Sequence, residues 1–203
     1  MVTGMLNSVP RTAPGRPKSS AAASHEAIID AVYAILQEKP ARDLTIEEVA
    51  KRAKVGKPTI YKWWTTKAAL VMDMFAERVV HRFDVPKSLT AEESIRLQVG
   101  ELIWLGNEFF GKVLSDIIAE GQSDPTVLEA YRDRYLNSRR AISTEIIERA
   151  YARGEFKRRV EPEVLIDMIY GPIYYRMLVR HQPLDQAFGE HLLCHIMAYL
   201  KGG

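Results

Sequence analysis

Residues 55–64 read VGKPTIYKWW, with a proline near the start, lysines at 57 and 62, and adjacent tryptophans at the end. Wound as a helix, the segment puts Pro58 in the first turn, where its missing N–H costs nothing and its fixed φ suits the helix. Gly56 or Lys57 then stands at the N-cap. At about 100° per residue, Ile60 and Trp64 fall on one side, Pro58, Thr59 and Lys62 on the other, and Tyr61 and Trp63 at the flanks. The buried stripe is therefore Ile60 and Trp64, and the outer surface is small, polar and basic with aromatic edges. Two turns are too few to be stable alone, so the segment needs support from behind.

The flanking sequence supplies it. In LTIEEVAKRAKV, Thr45 and Glu48 form a capping-box signal, and Ile46, Val49, Ala50 and Ala53 recur at helical spacing. HEAIIDAVYAILQEK carries Ile28, Ala31, Val32, Ile35 and Leu36 on one face of a longer helix, and TTKAALVMDMFAERVV starts a fourth, capped by Thr65 or Thr66. Short helices joined by a turn of three or four residues describe a helix-turn-helix, with the quoted stretch as its recognition helix.

These residues resemble the TetR family of transcriptional repressors. The likeness rests on GRPK near the start, on LTIEEVAKRAKVGKPTIYKWWTTKAAL, and on the spacing Thr59, Tyr61, Trp64, Lys67, Leu70. Where the family often has Ala-Gly-Val-Ser, this chain has Ala53-Lys54-Val55-Gly56, so a lysine replaces the turn glycine. The later segments DPTVLEAYRDRYLNSRRAISTEIIERAYARGEF and IYGPIYYRMLVRHQPLDQAF are similar to the ligand-binding half of one subgroup. The resemblance implies an all-α protein in three parts: a basic disordered arm (1–19), a helix-turn-helix DNA-binding domain (20–67), and a helical effector-binding and dimerisation domain (68–203).

Charge agrees with that division. The whole chain is only +2. Residues 1–67, however, hold 11 Lys and Arg against six Asp and Glu, while the remainder holds 17 against 20. A positive excess on the helix-turn-helix half is the footprint of a nucleic-acid partner. Residues 1–19, with Pro10, Pro14, Gly15 and Pro17, cannot form an amphipathic face. The single Cys194 excludes an internal disulfide, the N-terminus has no signal-peptide core, and no run of 18 apolar residues exists. A cytoplasmic protein is expected.

On the DNA side, Lys57, Pro58 and Thr59 lead the recognition helix into the major groove. Thr59 can bond a base edge, Pro58 can touch a thymine methyl, and Lys57 or Lys62 can reach guanine. Tyr61 and Trp63 suit phosphate, with Trp63 alternatively packed against the first helix. Thr45 and Lys67 stand at helix N-termini that favour an anion. Arg16 and Lys18 lie in the arm and can enter the minor groove.

The second half reads as a long helix breaking near Gly111, a helix from the Asp124 cap to Gly154, a helix kinked at Gly171-Pro172, and a last helix. These helices are apolar on more than one face, which calls for a partner surface or a cavity. The resemblance implies a homodimer through the last two helices on a double-stranded, palindromic operator, released by a small-molecule effector. Trp104, Phe109, Phe110, Met168 and Tyr175 are candidate cavity residues, with plain core as the alternative. An effector-independent DNA-binding structural or adaptor protein is the other reading, favoured if the helices pack solidly. No catalytic motif stands out. His191 and His195 flank Cys194 at a spacing that can hold a metal, but without a third ligand they read as helix surface, and no metal or cofactor is assigned.

Overall fold

The computed structural model describes residues 20–79 and 85–202. Arg16 and Lys18, and with them the arm expected over residues 1–19, lie outside the described residues. Among those described there are ten α-helices and no strand.

The N-terminal unit is α1 (Ser20–Glu38), α2 (Ile46–Ala53) and α3 (Lys57–Tyr61), with α4 (Lys67–Val79) running on from it. Ile28, Val32 and Ile35 of α1, Val49 of α2 and Ile60 of α3 are fully buried together. Two ion pairs lock α1 to α2: Arg52 grips Glu38 with both terminal nitrogens, at 2.8 and 2.9 Å, and Lys39 holds Glu48. The second pair alters the expected cap. The Thr45 side chain does accept from Glu48 N at 3.3 Å, but the Glu48 carboxylate goes to Lys39 rather than back to Thr45. A complete capping box occurs instead at Thr90 and Glu93, ahead of the helix that starts at Ala91. Thr66 is the residue that caps α4, accepting from Ala69 N.

The turn between α2 and α3 is closed by Lys54 in the left-handed region, φ 56° and ψ 41°. Val55 N reaches back to Ala50 O at 3.0 Å, the long bond of a Schellman ending. A lysine there carries a steric cost that glycine does not.

The C-terminal unit comprises α5 (Ala91–Asn107), α6 (Phe109–Gly121), α7 (Pro125–Tyr131), α8 (Asn137–Arg153), α9 (Pro162–Val179) and α10 (Gln186–Lys201). The first break falls at Glu108, in extended backbone, rather than at Gly111. Gly111 lies inside α6 and serves a different need. A Cβ on it would sit 2.4 Å from Gly106 O, so only glycine lets α6 fold back on the last turn of α5. Asp124 caps α7 by accepting from Thr126 N, and Gly154 ends α8 at φ 68°, as expected. Between α7 and α8 the chain passes through a π-helical turn, Arg132–Leu136. It inserts an extra residue without breaking the helix. α9 continues through Pro172 as one helix.

Replacing Lys54 with glycine should raise unfolding stability by about 0.5–1 kcal/mol, while Gly154→Ala should lower it by a similar amount. Urea unfolding followed by circular dichroism measures both, and a stability loss in Lys54→Gly would show that the lysine side chain outweighs its backbone strain.

Candidate nucleic-acid interface and ligand cavity

α3 has only five residues and is held through Ile60, 0% exposed, and Trp64, 1% exposed. Trp64 is clasped from two sides. Its ring lies 4.9 Å from His25 of α1, and its indole N–H donates to Asp73 Oδ2 of α4 at 2.6 Å. That hydrogen bond satisfies the single polar atom of a buried tryptophan and sets the angle between α3 and α4. The inward stripe expected from the sequence is the one the structure buries.

Facing out are Lys57, Pro58, Tyr61, Lys62 and Trp63, with Thr59 half-buried. Tyr61 is 52% exposed. Trp63 combines both readings of it: 44% exposed, its ring nonetheless rests against His25 at 5.0 Å. Lys57 is tied to Glu47 of α2 at 2.7 Å, and that hydrogen bond raises its pKa. Lys51, Lys54 and Lys62 have no carboxylate within ion-pair distance among the described residues. Thr45 is exposed at the start of α2, its hydroxyl spent on the cap.

Lys67 departs from the sequence reading. Its ammonium lies 3.1 Å from Arg42 O and 3.3 Å from Glu120 Oε1 of α6. In this structure the ammonium is therefore held by Glu120, and Lys67 ties α4 to the C-terminal unit.

A cavity of about 380 Å³ lies within that unit, among α5, α6, α7, the π turn, α8 and α9. Leu102, Leu105, Ile118, Leu128, Ile166 and Leu178 make it apolar. Its polar groups are Gln98 and Glu101 on α5, Arg139, Arg140 and Ser143 on α8, Asp167 on α9, and the tyrosines 131, 135, 170 and 174. Tyr170 OH donates to Gln98 Oε1 at 2.8 Å, and the Tyr131 and Tyr174 hydroxyls meet at 3.0 Å. Burial lifts the pKa of all four tyrosines, Tyr170 to about 12, so each keeps its proton near neutral pH. Arg140 bridges to Asp167 of α9 at 2.8 Å.

None of the five residues assigned to this cavity from the sequence lines it. Trp104 is on the outward face of α5, 41% exposed. Phe109 and Phe110 pack at the junction of the two units, against Tyr33 of α1 at 5.4 Å and Phe75 of α4 at 5.9 Å. Met168 and Tyr175 are on α9 but turned outward. The helix is the right one and the phase is wrong: Tyr170 and Tyr174 face the cavity, while positions 168 and 175 look away from it. The residues missed are polar, and apolarity was the signal followed; tyrosines four apart on α9 carried the other one. His195 Nδ1 lies 2.7 Å from His191 O, within their own helix.

Comparison with known proteins agrees with this architecture. The family model for bacterial regulatory proteins of the tetR family matches residues 28–74, and that for the tetracyclin repressor-like C-terminal domain matches residues 85–196. The chain belongs to the TetR family. It is 35% identical over 188 residues to the uncharacterized HTH-type transcriptional regulator YdeS of Bacillus subtilis, covering 93% of this chain and 92% of that one. The structure of the TetR family regulator SCO0332 superposes with a TM-score of 0.74 at 28% identity, over 86% of this chain and 96% of the other. The Bacillus subtilis regulator FadR, in complex with stearoyl-CoA, does so with a TM-score of 0.68 at 20% identity, over 86% and 98%. The protein is thus a helix-turn-helix DNA-binding transcriptional regulator rather than an enzyme. Among the described residues no helix is long and apolar enough to cross a membrane.

The face assignment of α3 is tested by a pair of variants. Thr59→Ala should cost about 1–3 kcal/mol of operator affinity and leave random-duplex binding and the melting temperature nearly unchanged. Trp64→Ala should destabilise the protein by about 3–5 kcal/mol and lose both kinds of binding. Loss of nonspecific binding in Thr59→Ala, or a normal melt for Trp64→Ala, would invert the two faces.

A second test concerns Glu101. Burial raises its carboxyl from an ordinary 4.5 to about 7, against the pull of Arg139, whose 3.6 Å contact is too long for a hydrogen bond. A folded-state pKa raised in this way favours the native state at low pH, and the contribution is lost as pH rises through about 7. Glu101→Gln should therefore raise the melting temperature at pH 8 and leave it nearly unchanged at pH 5. An equal gain at both would assign the effect to packing.

Proposed function

We propose that the protein is a repressor, released from a palindromic operator when a small molecule occupies the cavity, and that it works as a homodimer through α9 and α10. The observation that carries this reading is how the cavity wall meets α4. Arg134, in the π turn, donates to Asp73, the residue that also holds the Trp64 indole. The neighbouring Tyr131, Tyr135 and Leu136 line the cavity, and the Tyr135 ring stands edge-on to Phe75 of α4 at 5.0 Å. A second tie runs along α6, where Ile118 lines the cavity and Glu120 holds Lys67. A ligand pressing on these walls acts on the start and the middle of α4 and so on the placement of α3. To release the operator it must bind the DNA-incompetent arrangement more tightly than the competent one. An effector-independent role would leave a cavity of this size without use. FadR, of the same fold, binds stearoyl-CoA, which supports a ligand role for this half of the chain.

The dimer reading rests on α9. Val164, Met168, Tyr175 and Val179 form an outward apolar stripe, each more than 40% exposed, and Cys194 and Ala198 of α10 are exposed as well. Two-fold pairing would also space two recognition helices for two half-sites. Glutamate at both Met168 and Tyr175 should leave the fold intact, since neither side chain is buried, and give a monomer by sedimentation with weakened operator binding. A dimer that survives the double substitution would move the interface elsewhere.

The function itself is tested by selecting bound sequences from a random DNA pool, then titrating the operator against compounds that raise the protein's melting temperature. A palindromic site whose affinity falls when such a compound binds is the expected result. Compounds that fill the cavity and leave operator affinity unchanged would sink the effector mechanism.

A further inference from the structure

The cavity's hydrogen-bonding groups are not balanced, and the imbalance names a class of ligand. Gln98 is 7% exposed, and its carbonyl Oε1 already accepts from Tyr170 OH at 2.8 Å, while the Ser143 hydroxyl, 3.4 Å away, has a nearer acceptor in Arg139 O at 3.2 Å. With Oε1 facing the Tyr170 hydroxyl, the amide nitrogen is the other terminal atom, and among the described residues it has no protein acceptor. In the Tyr131 and Tyr174 pair one hydroxyl donates to the other, which leaves one O–H with no acceptor of its own. Glu101 Oε2 is buried without a hydrogen bond, and burial raises its carboxyl to about 7, so a protonated, donating form is well populated near neutral pH. The Gln98 carbonyl is taken, and Asp167, the carboxylate of α9 on this wall, already accepts from Arg140 and is 70% exposed to water, while donors remain. An unmade buried donor costs free energy that a suitable ligand atom recovers.

We infer that the cavity takes an apolar molecule whose polar end only accepts hydrogen bonds, a carbonyl or carboxylate oxygen, and that Gln98 is the group that selects it. An ammonium end would bring more donors, and a further positive charge, to a wall that already carries the Arg139 and Arg140 guanidiniums. The inference rests on the reading of the cavity as a ligand site, and it adds the chemistry of what fills it.

Matched probes test it on the full-length protein. Decan-2-one, decanoate and decylamine share one body, and 2-acetylnaphthalene, 2-naphthoate and 2-naphthylmethylamine share another. Calorimetric titration should give the ketone or the carboxylate of at least one series an affinity about tenfold or more above its amine, and Gln98→Met should remove about that factor. An amine that binds as well as its carbonyl partners, or no binding by any of the six at millimolar concentration, would overturn the inference. Should Gln98→Met fail to fold, judged by circular dichroism, the comparison among probes on the unmodified protein decides alone. Repeating the titration with operator present separates the two readings. A ketone that binds without weakening the operator leaves the ligand class standing and removes the effector mechanism.

Discussion

The hydrogen bond from the Trp64 indole to Asp73 is the constraint on which the arrangement of this molecule turns. A five-residue helix has no stability of its own, so its direction is set by what is buried beneath it. Here the anchor is one ring, fully enclosed, with its only polar atom satisfied from α4 and its face against α1. Because Asp73 also receives Arg134 from the far side, the carboxylate is shared between the DNA-facing unit and the cavity-bearing unit. In the proposed mechanism a displacement of the π turn would act through this carboxylate on the base of the recognition helix.

That turn is a fitting place for a small displacement to begin. A π-helical turn carries one surplus residue, and Tyr131 just before it, with Tyr135 and Leu136 within it, lines the cavity. Packed interiors respond to strain by switching between arrangements more readily than by stretching. The aromatic contacts of Phe75 with Tyr135 and with Phe110 fill the space between the units, which leaves the polar ties at Asp73 and Lys67 as the adjustable ones.

The sequence made the helix-turn-helix legible because several independent signals coincide there: a cap at Thr45, small residues at 50 and 53, proline at 58, and a two-residue inward stripe. The cavity was less legible for a physical reason. α9 is apolar on three faces, Leu165, Ile169 and Ile173 toward the core, Tyr170 and Tyr174 toward the cavity, Met168 and Tyr175 outward. Composition cannot say which stripe meets which neighbour when all three are hydrophobic. Phe109 and Phe110 misled differently, since a break placed at Gly111 hid the fact that they begin α6 and pack back against α1 and α4. The departure of Lys67 depends on Glu120, 53 positions away, and no local pattern announces a partner at that distance.

Electrostatics on the outer surface follow a related logic. The positive excess of the N-terminal unit is partly spent internally, on Glu38, Glu48 and Glu47, which hold Arg52, Lys39 and Lys57. The first two pairs fix α1 against α2. The third is exposed at both ends, and exposed pairs contribute little, so Lys57 can leave Glu47 for a DNA acceptor at small cost. Lys54 stands apart from these. It accepts a left-handed backbone that glycine would adopt without strain, and in return it sets an exposed ammonium at the turn leading into α3. Lys54 thus puts a positive charge beside the recognition helix at the expense of a strained turn, so any attraction it would offer a phosphate comes with a loss of folding stability.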